Sequence, residues 1–238
     1  MYYWIEIFWN QPFLLLYAGV VVVSLIKYRK YFDTPLRFFP VVLMYNLLTE
    51  ILGVLVFTSS QWSIVLKELY YNNNWLIYNI YAILYFLYFL FVYRAYMQNE
   101  GVKTGLRFGI VAYFLIAVVN FFLQDFVTET QLYSYMAGGL LILVASGAYL
   151  VQEFGKNETR GLRKNNLLNW LSLGNFIFYL GYLPIKYVRS EIADFALPNF
   201  AWIRYFHLGL IYVMYGCFLV GFLIMGTMKK PNKTGIYS

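Results

Sequence analysis

Two side chains in this sequence bring ionisable chemistry into apolar surroundings, Glu50 and His207. An ionisable group in hydrocarbon is expensive, by about 2.5–3.5 kcal/mol on insertion scales, so such residues are the first functional candidates. A carboxyl and an imidazole can exchange a proton, hold a polar ligand, or pair with one another. Asn46 precedes Glu50 by four residues and shares its helical face. In the next apolar run Asn74, Tyr78, Tyr81, Tyr85 and Tyr88 recur at steps of 4, 3, 4 and 3. Further on, Ser172, Asn175, Tyr179, Tyr182 and Lys186 recur at 3, 4, 3 and 4. Arg204, His207 and Tyr215 fall in one narrow sector of the last run. These spacings put each set along one side of a helix, and amides and hydroxyls avoid lipid, so those sides are expected to face a bundle interior.

Depth brings the sets together. At 1.5 Å per residue Glu50 lies roughly 10 Å, and His207 about 9 Å, below the same membrane boundary. Asn79, Asn120 and Tyr182 come out at comparable depths. The expected ligand site therefore comprises Glu50, His207, Arg204, Asn46, Asn79, Tyr81, Tyr85, Asn120, Asn175, Tyr179 and Tyr182. Lys186 joins Arg204 as an entrance that favours anions. Structural roles account for the same residues: tyrosine stripes also serve helix packing, and a lone histidine is often a hydrogen-bonded core group. Glu50 could be protonated, or could pair with Arg204 or His207 to fix one helix against another, and the cations could simply snorkel to the headgroups.

The elements that must position these groups follow from composition. Of 238 residues, 61% are hydrophobic and 12% charged. A soluble domain has roughly a quarter charged, so this surface suits a bilayer. About 20 apolar residues make one span, and seven segments qualify: 10–28, 38–58, 75–96, 107–124, 132–152, 167–187 and 201–228. The expectation is an all-α, seven-transmembrane-helix bundle forming a single polytopic domain over residues 1–238. The segment 107–124 is the shortest on this reading. Residues 59–74 are too polar to span, and Trp62–Tyr71 reads as an amphipathic piece lying along the interface. The opening residues have no basic n-region or small-residue cleavage site, so the first helix is expected to act as the insertion signal.

Basic residues set the orientation. With the N-terminus outside and the C-terminus cytoplasmic, the inner side receives Lys27, Arg29, Lys30 and Arg37, then Arg94, Lys103 and Arg107. Lys156, Arg160, Arg163 and Lys164 follow, and lastly Lys229, Lys230 and Lys233, making fourteen of the eighteen basic residues. Trp4, Trp9, Trp62, Trp75 and Trp202 fall at outer boundaries and Trp170 at an inner one. The net charge of +7 is thus a topology signal, and nucleic acid is not an expected partner.

Several chemistries are disfavoured. No lysine lies between Arg204 and Lys229 for a retinal Schiff base. One histidine, Cys217 as the one cysteine and one evident buried carboxylate do not make a catalytic zinc site, and no cofactor is expected. HExxH, GxSxG and Walker patterns are missing, and no serine or cysteine neighbours His207.

Leu48-Thr49-Glu50, Asn79-Ile80-Tyr81, Asn169-Trp170 with Gly174-Asn175-Phe176, and Trp202 with His207 resemble a family of small bacterial seven-helix integral membrane proteins. The resemblance implies the same bundle with Glu50 and His207 in play, and supplies no substrate. Members tend to carry a carboxylate near the position of Tyr85; tyrosine here counts against a two-carboxylate mechanism. Together these readings lead to a receptor-like or sensor subunit of the inner membrane. It would bind a small or lipidic ligand in an outward-facing pocket and signal through a cytoplasmic or membrane partner. The alternatives are a small-solute or lipid transporter and an intramembrane lipid-modifying enzyme with Glu50 and His207 as acid and base. Repeated halves, the mark of many transporters, are not evident.

Overall fold

A computed structural model describes residues 11–58, 75–156, 165–191 and 201–228. These residues form seven α-helices: α1 Pro12–Ile26, α2 Phe39–Thr58, α3 Trp75–Tyr96, α4 Glu100–Leu123, α5 Leu132–Lys156, α6 Leu167–Glu191 and α7 Ala201–Ile224. Two short 3₁₀ turns, Tyr28–Lys30 and Pro35–Phe38, join α1 to α2. Helices are the expected solution, because a backbone in hydrocarbon must satisfy its own polar groups within each segment. Five of them, α2 to α5 and α7, are long and apolar enough to cross a membrane. The chain is therefore a multi-pass membrane protein by helix length and composition. The described part of α1 has 15 residues, and α6 carries Asn169, Ser172, Asn175 and Lys186, which lower its hydropathy; neither is among the five. The expected interfacial piece 62–71 and Trp4, Trp9 and Trp62 lie outside the described residues.

Local chemistry explains most ends and corrects several expected ones. α4 starts seven residues earlier than its apolar run, at Glu100, because Asn99 caps it by accepting from Val102 N at 3.1 Å. With 24 residues it is not the shortest helix; α1 is. Thr34 opens the second 3₁₀ turn by accepting from Leu36 N, with Pro35 just inside. α6 continues past the expected end at 187 to Glu191, with Pro184 inside it. α7 stops at Ile224 rather than 228. The backbone beyond is diverted: Gly226 N donates to Asn165 O at 3.0 Å and Met228 N to Lys30 O at 2.8 Å.

Helix contacts close a six-membered ring in the order α1, α2, α3, α5, α6, α7, with α4 packed outside on α3 and α5. The buried residues of α4, Leu106, Tyr113 and Asn120, are seven apart, one stripe on a helix whose other faces carry exposed Phe and Val. Glycines let the ring tighten. A Cβ at Gly174 would stand 2.9 Å from the Met214 carbonyl, and one at Gly221 would stand 2.7 Å from Trp170, so α6 and α7 approach closely. The middle of the ring is filled by aromatic layers, with Phe39 set against Phe89, Phe218 and Phe222.

Candidate ligand pocket

Toward the end that carries the α3 N-terminus, the aromatic filling gives way to a cavity of about 470 Å³. All six ring helices wall it. α1 contributes Phe13 and Tyr17, and α2 contributes Asn46 and Glu50. α3 presents Trp75, Tyr78, Asn79, Tyr81 and Tyr85. Thr130 and Tyr135 come from α5 and the loop before it. α6 gives Phe178, Tyr179, Tyr182, Lys186 and Arg189, and α7 gives His207, Ile211, Met214 and Tyr215. The heptad-like steps of α3 and α6 turn each stripe toward the ring centre.

Glu50 and His207 line this cavity with different partners. Tyr78 Oη donates to Glu50 Oε2 at 3.0 Å. Gly53, one turn after Glu50, makes room for that hydroxyl: a Cβ there would meet Tyr78 Oη. The His207 ring stacks on Tyr182, centroids 4.3 Å apart and planes at 20°, with Phe178 at 6.2 Å. Neither an ion pair to Arg204 nor one to His207 is what holds Glu50; among the described residues its hydrogen bond is to Tyr78.

The floor is a polar lattice of tyrosine and asparagine. Asn46 Nδ2 donates to Tyr215 Oη, and Tyr215 stacks on Tyr17 with centroids 3.9 Å apart. Tyr85 Oη donates to Asn175 Oδ1 at 2.6 Å, and Asn175 Nδ2 donates to Tyr93 Oη at 3.3 Å. Asn175 is completely buried and lies behind Tyr85 rather than on the wall.

The mouth is cationic. Lys186 is 8% exposed; its Nζ donates to Thr130 Oγ1 at 2.7 Å and lies over the rings of Trp75 (4.9 Å) and Tyr135 (5.0 Å). Arg189 lines the same rim one turn further along α6.

Of the expected site residues, Glu50, His207, Asn46, Asn79, Tyr81, Tyr85, Tyr179 and Tyr182 line one cavity. Asn175, Asn120 and Arg204 do not: Asn175 is buried behind Tyr85, to which its Oδ1 is hydrogen-bonded. Asn120 is buried between α4 and α5, where its Nδ2 donates to Gln131 Oε1 at 2.9 Å. Its depth matches Glu50, but α4 lies outside the ring, so depth alone misassigned it. Arg204 is exposed near the start of α7, and Arg189 is the arginine at the mouth instead. Arg189 falls outside the expected site because the apolar run of α6 ends before it, while the helix continues to Glu191 and carries it onto the face of Lys186. Asn79 reaches the wall, yet its amide is engaged elsewhere: Nδ2 donates to Phe126 O (2.9 Å) and Glu129 O (2.8 Å), and Oδ1 accepts from Gln131 N (3.2 Å). Tyr17, Tyr135 and Trp75 also line the cavity, outside the expected set. Tyr17 interrupts an otherwise aliphatic stretch of α1, which was the available signal.

Compared with known proteins, the chain matches no family model, no curated protein and no solved structure. The functional reading therefore rests on the cavity itself.

Proposed function

We propose that this chain is a receptor-like or sensor subunit of the inner membrane, spanning it seven times with its N-terminus outside and its C-terminus in the cytoplasm. The 470 Å³ cavity then opens outward and receives a small or lipidic ligand. Basic residues support that orientation: Lys27, Arg29, Lys30, Arg37, Arg94 and Lys103 lie at the bundle end opposite the cavity, where anionic headgroups would meet them. The observation that carries the ligand reading is the cavity wall. Six helices bring a carboxyl, an imidazole and two cations into one aromatic-walled space of ordinary ligand size. The family of small bacterial seven-helix proteins that the motifs resemble is consistent with this architecture. Because the described residues form the bundle alone, a partner protein would transmit the occupied state.

A thermal-shift screen of purified protein against bacterial lipids, fatty acids, quinones, isoprenoids and small anions tests the proposal. A ligand at 100 times its dissociation constant should stabilise by about 2.7 kcal/mol. The shift should shrink in Glu50→Gln and in His207→Ala. If nothing in the screen stabilises the wild type, and both variants only melt earlier, the pocket is a packing feature.

A further inference from the structure

We infer that the ligand of this pocket is an aryl acid: a molecule with one anionic group, seated between Lys186 and Arg189, and a flat aromatic or conjugated body extending down the tyrosine wall. The inference rests on the ligand-pocket reading above and names its chemical class.

The anionic end follows from Lys186. A buried ammonium needs a counter-charge or a full set of acceptors. Lys186 has one hydroxyl acceptor, Thr130, and two aromatic faces, which compensate a desolvated cation only in part. No carboxylate among the described residues is within ion-pair distance of Lys186. Arg189 adds a second positive charge at the same rim, one turn along α6 from Lys186.

The aromatic body follows from the wall below. Eight tyrosines line the cavity, joined by Phe13, Trp75 and Phe178. Their ring faces suit a flat partner, as the Tyr182–His207 stack already demonstrates within the protein. A saturated chain fits this surface poorly. It presents neither a π face to the rings nor a polar edge to the hydroxyls and amides set among them. A conjugated body with polar substituents offers both a stacking face and hydrogen-bonding edges.

The test uses the full chain in lipid nanodiscs and three probes: 2-naphthoate, neutral 2-naphthol and aliphatic decanoate. Binding is read by isothermal titration, with the signal of probe partitioning into protein-free nanodiscs subtracted, and naphthoate binding unchanged in Lys186→Gln overturns the anionic end. We expect saturable 2-naphthoate binding at least tenfold tighter than either other probe. Lys186→Gln should weaken it at least tenfold, Arg189→Gln several-fold, and Lys186→Arg should hold it within about threefold of wild type. Circular dichroism and gel-filtration volume verify that Lys186→Gln is folded, and the exposed Arg189→Gln gives an independent reading if it is not. Equal binding of 2-naphthol overturns the anionic end. Equal binding of decanoate, with the same dependence on Lys186, overturns the aromatic body. No naphthoate binding, alongside a different ligand from the broad screen, overturns the aryl-acid assignment and leaves the pocket reading intact; an empty screen removes both.

Discussion

Two polar clusters lie near the same end of this bundle, and their charge separates them. One knits α3, α4 and α5: Asn79, Asn120, Gln124, Gln131 and Ser134 bond to one another and to loop backbone, as when Gln131 Nε2 donates to Gln124 O and Leu132 N to Gln124 Oε1. The other faces the cavity. There Lys186 lacks a carboxylate among the described residues, and Glu50 holds one hydroxyl where a carboxyl can accept several donors. Position in an apolar helix marks both clusters as costly. Charge facing open space distinguishes the site: the fastening side chains are neutral amides and a hydroxyl, whereas Glu50 and Lys186 line the cavity.

The sharpest way to break this contrast is Asn79→Ala. Three hydrogen bonds to the loop at 126–131 vanish, leaving two carbonyls and the Gln131 N–H to find other partners. At about 1 kcal/mol each, the loss should approach 3 kcal/mol of unfolding free energy. Denaturant titration in detergent measures it. Because the amide is fully engaged, ligand affinity per folded molecule should hold. A stable Asn79→Ala protein that loses ligand would place Asn79 in the site and collapse the distinction.

Glu50→Gln should show the converse, with a smaller energy. The side chain keeps its shape and can still accept from Tyr78, so unfolding free energy should move by less than about 1 kcal/mol. Ligand binding should weaken about tenfold, equivalent to about 1.4 kcal/mol. If stability falls and affinity does not, Glu50 belongs with the fasteners.

These two residues also mark how far the sequence could be read. The helices were legible, because apolar length and backbone self-satisfaction leave little else to a membrane chain. So was the cavity-facing side of α3 and α6, since spacing of 3 and 4 fixes a helical face. What spacing cannot convey is which helix stands inside the ring. α4 is as apolar as its neighbours, so Asn120 looked like a wall residue; its exclusion depends on tertiary packing of the Leu106, Tyr113 and Asn120 stripe against α5. Nor can hydropathy locate a helix end, because backbone hydrogen bonding continues after the apolar residues stop. For that reason the apolar pattern excludes Arg189 from α6 and begins α4 seven residues after its actual start at Glu100.

Gly53→Ala probes the joint between carboxyl and tyrosine. The added methyl meets Tyr78 Oη, so the ring must swing and the 3.0 Å bond to Glu50 must open. Alanine gains up to about 1 kcal/mol of helix propensity over glycine, while overpacking costs about 1–3 kcal/mol. The net should be a loss of about 1 kcal/mol in stability, measured by thermal unfolding. Gly53→Ala combined with Tyr78→Phe removes the obstructing hydroxyl and should recover most of that loss. A double variant no better than Gly53→Ala alone would mean the hydroxyl is not what glycine accommodates.

The smallest effect expected is also the most discriminating for the mouth. Arg204 and Arg189 are both arginines near helix ends facing the same side of the bundle, and sequence spacing favoured Arg204 by placing it with His207 and Tyr215. In the fold Arg204 is exposed and Arg189 lines the cavity. Arg204→Gln should therefore shift stability by less than about 0.5 kcal/mol and leave ligand affinity within error, as surface substitutions generally do. Arg189→Gln in the same assay should weaken an anionic ligand several-fold, and the difference should shrink with added salt, because rim charges remain partly screened. Equal losses in the two variants would mean that anion capture is a diffuse field of the whole mouth. A loss confined to Arg189 fixes it to one face of α6, one turn from Lys186.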